Sequence, residues 1–201
     1  NIIDLHCDTL LKLKNNNYTI TENDGHITDN GLKLGRYLAQ CFAIYTSQKI
    51  NGEDAYSYFK NQYMIFDNMV NNSKILKKAI DARSIINNSI NSKVSAVLTV
   101  ENAEFLNGKL SRINELQKCR VKILGLIHNG ENCLAFPHTY ENLPLKEFGK
   151  EVVDALNYTD ILVDVSHLNF GGFNNVKKIK KKPFIATHSA CRELCEHTRN
   201  L

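Results

Sequence analysis

Five short apolar runs in this chain are each closed by a histidine, an aspartate or a glutamate, with helical stretches between them. No other feature of the sequence limits the fold as much. The first run, Ile2-Ile3-Asp4-Leu5, carries β-branched residues and reads as a buried strand. His6 and Asp8 stand at its C-terminal end, two positions apart. Residues i and i+2 of a strand point to the same side, so an imidazole and a carboxylate would project together, the start of a cation site. The run 94–100 delivers Glu101, 121–127 delivers His128, 161–165 delivers His167 and 184–187 delivers His188. A sixth run, Tyr37–Tyr45, reads as a strand without such a residue at its end.

The intervening segments supply the helices. Residues 14–31 are rich in Asn, Thr, Asp and Gly and read as a loop. Phe59, Tyr63, Phe66 and Val70 recur at three- and four-residue spacing, predicting an amphipathic helix over 54–70. Ile75, Leu76, Ala79 and Ile80 predict another within 71–91, ending near Asn87-Asn88. Further helices are expected over 111–118, 146–157 and through Val176 and Ile179, with a loop over 130–143. Strands alternating with helices, and strands that are near-continuous apolar runs, predict a parallel sheet covered by helices. Polar residues at the C-terminal ends of such strands are where a TIM (β/α)8 barrel builds its site. An open doubly wound sheet is the alternative, but no glycine-rich phosphate loop follows the first strand. The α/β barrel is therefore the expected fold class.

Composition narrows the functions. With 43% hydrophobic and 23% charged residues, the 201-residue chain can bury one sizeable core. No apolar run reaches the roughly 18 residues that span a bilayer, and no basic-then-apolar leader precedes Asn1. The net charge of +4 comes from scattered lysines apart from Lys177-Lys178 and Lys180-Lys181-Lys182, which read as a solvated helix end; no nucleic-acid partner is expected. The six cysteines (Cys7, Cys41, Cys119, Cys133, Cys191 and Cys195) lack the dense spacing of a secreted disulfide scaffold, so reduced thiols and a cytoplasmic setting are expected.

His6, Asp8, Glu101, His128, His167 and His188 form a nitrogen and oxygen ligand set that suits zinc or a similar divalent ion. Their number is enough for two ions, and a glutamate can bridge a pair about 3.5–4 Å apart. Water shared between two cations loses a proton near neutral pH, while one cation polarises the carbonyl under attack. His26, His138 and His197 lie in polar stretches and read as solvated, with His26 and His138 also candidates for loops over the site.

Asp4-Leu-His-Cys-Asp-Thr9, Val100-Glu-Asn102, Leu126-Ile-His-Asn129, Asp164-Val-Ser-His167, Thr187-His-Ser189 and His197-Thr-Arg-Asn200 stand in the order and approximate spacing of one family. Together with Phe148-Gly-Lys-Glu-Val-Val-Asp154, they give the chain a resemblance to the membrane (renal) dipeptidase family of the amidohydrolase superfamily. The resemblance implies a metallo-dependent hydrolase barrel over residues 1–201 and a zinc-dependent dipeptidase with a binuclear zinc centre. It implies that His6 and Asp8 hold the first zinc, Glu101 bridges, and His167 and His188 hold the second. Glu101 and His128 would be catalytic, His128 touching the substrate and steadying the tetrahedral oxyanion. Arg199 would grip the free carboxylate of a dipeptide. Family members take varied dipeptides, some with a D-residue at the C-terminal position, some also open β-lactam rings, and they are often dimers.

The chain departs from the family pattern in three respects. A full barrel takes about 250 residues, and six strands are counted here, so two βα units would be absent after Leu201. The family's further aspartate near its last strand has no counterpart, and residues 130–143 are shorter than the usual loop. A chain beginning at Asn1 rather than Met reads as cut from something longer, and a C-terminally truncated barrel is expected to have little activity. Two other functions stay open on these grounds: a non-catalytic protein that binds metal or peptide, and an amidohydrolase acting on another amide.

Overall fold

The computed structural model describes residues 1–13, 19–21, 25–140 and 142–201, and its secondary structure alternates strand and helix along the chain. The elements fall into two compact units, Asn1–Tyr45 with Phe59–Thr99, and Thr46–Tyr58 with Val100–Leu201.

In the first unit, β1 (Ile2–Asp4) is followed by α1 (Thr9–Leu13) and α2 (Asp29–Leu34). Of the loop expected over 14–31, residues 14–18 and 22–24 lie outside the described residues, and its end is instead the start of α2. Thr28 caps that helix, its hydroxyl accepting from the Gly31 amide at 3.1 Å. β2 (Tyr37–Tyr45) pairs in parallel with β1, with Ile3 opposite Ala39 and Asp4 opposite Gln40. The long helix α3 (Gly52–Asn72) turns Phe59, Phe66 and Val70 inward, as their spacing predicts, with Met69 buried as well and Tyr63 only half-buried.

Residues 71–91 differ from the expected single helix. Leu76–Lys78 is a strand, β3, paired in parallel with the start of β4 (Val94–Glu101), and the helix α4 begins only at Ala82 (Ala82–Ile90). The Ser73 hydroxyl ends the preceding helix by accepting from the amides of Ile75 and Leu76 while donating to Asp29. Asp81 and Ser84 then form a reciprocal capping box that starts α4. A short apolar run fits either period, and here the caps decide it. β4 lies next to β2 and is buried along its whole length, which is why it reads as a continuous apolar run.

The second unit starts at the end of β4. Arg112 precedes α5 (Ile113–Lys118) and is buried, donating to the Phe105 carbonyl at 2.7 Å and to Glu53 at 2.5 Å while its guanidinium stacks on Tyr56 at 4.0 Å. β5 (Ile123–Gly125) passes so close to the end of β4 that a Cβ on Gly125 would lie 3.1 Å from the Val100 carbonyl oxygen. α6 (Glu147–Ala155) leads to β6 (Leu162–Asp164), which pairs in parallel with β5, and α7 (Phe170–Ile179) follows, capped by Asn169. At α6, a Cβ on Gly149 would meet the Leu134 carbonyl oxygen at 2.2 Å, so only glycine allows the approach.

The strand expected over 184–187 shrinks to one parallel bridge, Ile185 opposite Asp164. The ladder stops because the next amides turn to side chains: Thr187 N donates to Asp164 Oδ1 at 3.1 Å and His188 N to Ser166 Oγ at 3.1 Å. The lysines near the end of α7 also have structural partners. Lys180 donates to the Leu156 carbonyl and Lys182 to that of Thr159. No helix among the described residues is long and apolar enough to cross a membrane.

Candidate metal centre

In the second unit the expected ligands come together. Glu101 closes β4 and is buried, His128 follows β5, and His167 follows β6. His188 comes just after the bridged residue Ile185. Glu101 Oε1 lies 3.0 Å from His167 Nε2 and 3.3 Å from His188 Nε2, and the two Nε2 atoms are 2.9 Å apart. The His128 ring packs on that of His167 with centroids 4.4 Å apart, and Glu101, His128 and His167 each offer a ligand atom within 4.8 Å of the others.

Local structure holds these groups in place. His167 adopts a left-handed backbone (φ 67°), a conformation costing a β-carbon residue roughly 1–3 kcal/mol. Its carbonyl accepts from His138 N at 2.9 Å, and its Nδ1 donates to Asn129 Oδ1 at 2.8 Å. A ring that donates from Nδ1 keeps a lone pair on Nε2 when neutral. Burial lowers the His167 pKa, against a hydrogen bond to Glu101 that raises it. Bare imidazole nitrogen and carboxylate oxygen thus converge on a space of atomic size. Crowded lone pairs of this kind are relieved by a cation, and the donor set of two imidazoles and a carboxylate suits zinc or a similar divalent ion.

Arg199 stands beside this cluster. Its Nη2 donates to the His188 carbonyl at 3.0 Å, while Nη1 is buried with no hydrogen-bond partner among the described residues. Burial lowers its pKa, opposed by the charges of Asp164 and Glu101. His138, Asn142, Phe170, Arg192 and Thr198 line a neighbouring cavity of about 340 Å³, and His138 Nδ1 meets Thr198 Oγ1 at 2.9 Å. His197, expected to be solvated, is exposed and accepts from the Arg199 amide at 3.0 Å.

His6 and Asp8 belong to the first unit. They follow β1 rather than ending it, and His6 Nε2 lies 3.6 Å from Asp8 Oδ1, so the two side chains do face each other. With Cys7, Lys12 and His26 they line a cavity of about 380 Å³. Burial pushes the Cys7 thiol up to about 11, which keeps it a thiol rather than a thiolate ligand near neutral pH.

Three residues that contact these side chains or their neighbours had no role assigned from sequence: Asn129, Asp164 and Thr187. Each sits one to three positions from a ligand within the quoted motifs, and that proximity is the signal that could have found them.

A sequence profile of the membrane dipeptidase family, peptidase family M19, matches residues 1–201. Over 136 residues the chain is 28% identical to an uncharacterized dipeptidase of Schizosaccharomyces pombe, an alignment spanning 65% of this chain and 32% of that protein. The chain therefore spans about a third of the length of that curated relative. A metallo peptidase of Rhodobacter sphaeroides, solved with a phosphinate mimic of the dipeptide L-Ala-D-Ala, superposes with a TM-score of 0.92 at 22% identity, covering all of this chain and 68% of that one. A dipeptidase described as a metallo peptidase of family M19 gives 0.92 at 24% identity, covering all of this chain and 66% of that one. These likenesses show the fold class, an α/β TIM barrel of which these residues form an incomplete part, about six of eight βα units.

Proposed function

This chain belongs to the membrane dipeptidase family, and from that premise we propose that it carries the metal-binding part of a metallo-dipeptidase cleaving dipeptides with a free carboxyl terminus. The observation that carries this reading is the convergence of Glu101 Oε1, His167 Nε2 and His188 Nε2 within 3.3 Å of one another. Zinc fits this donor set, and Glu101, His167 and His188 are the residues that would hold it. His6 and Asp8 are proposed for the second ion on the strength of their motif and their mutual 3.6 Å approach. The bound ions would polarise the scissile carbonyl and activate the attacking water.

The chain's own residues do the rest. The stack of His128 on His167 limits the freedom of its ring, which suits it to donate to oxygen as negative charge develops on the former carbonyl. Arg199 has one nitrogen anchored on the His188 carbonyl and Nη1 left over, so its fork is set to receive the substrate carboxylate. Burial strengthens that charge-assisted contact and excludes water from it. A D-residue at the C-terminal position is the preference to test first, because the Rhodobacter sphaeroides structure holds a mimic of L-Ala-D-Ala.

The test is zinc-dependent binding of a phosphinate dipeptide mimic, run beside hydrolysis of L-Ala-L-Ala and L-Ala-D-Ala. Binding that needs zinc and is lost in Arg199→Ala is expected, and binding indifferent to both would overturn the proposal. The reading as an amidohydrolase of other amides is separated by the same variant. A carboxylate clamp predicts that Arg199→Ala damages dipeptide affinity far more than affinity for an N-acyl amide, and equal losses would remove the clamp.

A further inference from the structure

The side chains of Asp164 and Thr187 belong to neither the strand ladder nor the proposed ligand set, yet they sit against His188. Asp164 is buried at the end of β6, where its Oδ1 accepts from the amides of Ser166 at 2.9 Å and Thr187 at 3.1 Å. Its Oδ2 accepts from the Thr187 hydroxyl at 2.5 Å. The same hydroxyl oxygen lies 2.7 Å from His188 Nδ1. Ser166 Oγ, 3.4 Å from Thr187 Oγ1, accepts from the His188 amide at 3.1 Å and completes the brace.

We propose that Asp164 and Thr187 form a positioning relay that holds His188 in its Nδ1–H tautomer and keeps its Nε2 bare for a divalent cation. This rests on the metal-site reading above. A hydroxyl has a single proton. Thr187 commits that proton to Asp164, so toward His188 it can only accept, and His188 Nδ1 must carry the hydrogen. The lone pair is then on Nε2, which faces Glu101 Oε1 at 3.3 Å and His167 Nε2 at 2.9 Å. In the other tautomer two acceptors would oppose each other across 2.7 Å at Thr187, and an Nε2–H would donate to Glu101, closing the space a cation needs. With Nδ1–H the opposed acceptors are instead His188 Nε2, His167 Nε2 and Glu101 Oε1, the one arrangement that a cation relieves. A metal-bound histidine ordinarily gives its second ring N–H to a carboxylate or carbonyl. Here a threonine hydroxyl stands between ring and carboxylate, so the polarity of the contact depends on Asp164 remaining an acceptor.

Two substitutions break the relay differently. Thr187→Val removes the hydroxyl at nearly constant volume. Asp164→Asn keeps an oxygen for the two backbone amides but turns an NH2 toward Thr187, so the threonine proton swings to His188 Nδ1 and imposes the Nε2–H tautomer. Zinc affinity of the full chain would be measured by competition with a chromophoric chelator. The tautomer of His188 in the metal-free chain would be read from side-chain nitrogen NMR. Thr187→Val and Asp164→Asn are each expected to weaken zinc about 10- to 100-fold, and the double variant to lose no more than the worse single. Thr187→Ser, which keeps the hydroxyl, should stay within about threefold of wild type on the same reasoning. His188 should be Nδ1–H in wild type and Nε2–H in Asp164→Asn.

Wild-type zinc affinity in both disrupted variants, or an unchanged His188 tautomer in Asp164→Asn, would overturn the relay. If Thr187→Val fails to fold, Asp164→Asn with Thr187→Ser carries the test. His188→Ala separates the two proposals: if it leaves zinc binding unchanged, the metal-site reading fails, while the NMR measurement still decides the tautomer.

Discussion

The two sets of expected ligands are held in different ways. Glu101 and His167 have side chains only 7% and 10% exposed, and His167 is fixed by Asn129 and by a left-handed backbone. His188, in the same unit, is braced through Thr187. Asp8, by contrast, is 51% exposed and meets His6 across 3.6 Å on an irregular segment after β1. A buried carboxylate and imidazole lose hydration on folding and are retained only where something compensates. An exposed carboxylate needs no such compensation. The buried set should therefore dominate cation affinity, with the His6 and Asp8 pair contributing a weaker, more solvent-screened increment.

The largest effect expected is from Glu101→Gln, which removes the charge shared by both histidines. It should lower zinc affinity by more than about 100-fold, beyond the range seen when only supporting residues are lost, as read by chelator competition. Next, His167 allows ligand chemistry and backbone strain to be separated. His167→Asn tolerates the left-handed conformation and should lose zinc affinity with little change in melting temperature. His167→Val should lose the same affinity and about 1–3 kcal/mol of stability as well, since a β-branched residue resists φ of 67°. Equal stabilities for the two variants would break that distinction.

A smaller loss, about tenfold or less, is expected from Asp8→Asn, because an exposed charge is well screened. A loss as large as that of Glu101→Gln would reverse the ranking of the two sets. Arg112→Ala should cost about 2 kcal/mol of stability by removing the buried hydrogen bond from Arg112 to the Phe105 carbonyl together with the Glu53 contact, with zinc affinity unchanged. Glu53 gives the smallest effect. Lys109 and then Arg112 hold its carboxyl below the ordinary value of 4.5, so its stabilising contribution is present above that pH and fades as the pH falls through the lowered value. The difference in melting temperature between wild type and Glu53→Gln should accordingly narrow on acidification.

The same contrast explains what could be read in advance. β2 and β4 are buried on both faces, so their apolar runs were legible as strands, and Glu101, His128 and His167 stood out as candidates because they break such runs. Leu76–Lys78 was misread because three residues are too few to show a period, and the side chains that settle the matter, Ser73 and Asp81, act from outside the strand. The run 184–187 was expected to pair as a strand, but Thr187 and His188 give their amides to Asp164 and Ser166. No hydrophobic pattern reports that exchange, because it depends on side-chain bonds between segments about twenty residues apart. The contacts that Asn129, Thr187 and Asp164 make were hidden for the same reason.

The central claim is that Glu101, His167 and His188 enclose a divalent cation. Anomalous diffraction at the zinc edge, from crystals of the full chain grown with zinc, tests it most directly. A peak within coordination distance of Glu101 Oε1 and of both Nε2 atoms is expected, and it should vanish in His188→Ala. A zinc-saturated crystal with no peak there, or with zinc only at surface cysteines such as Cys191 and Cys195, would contradict the account.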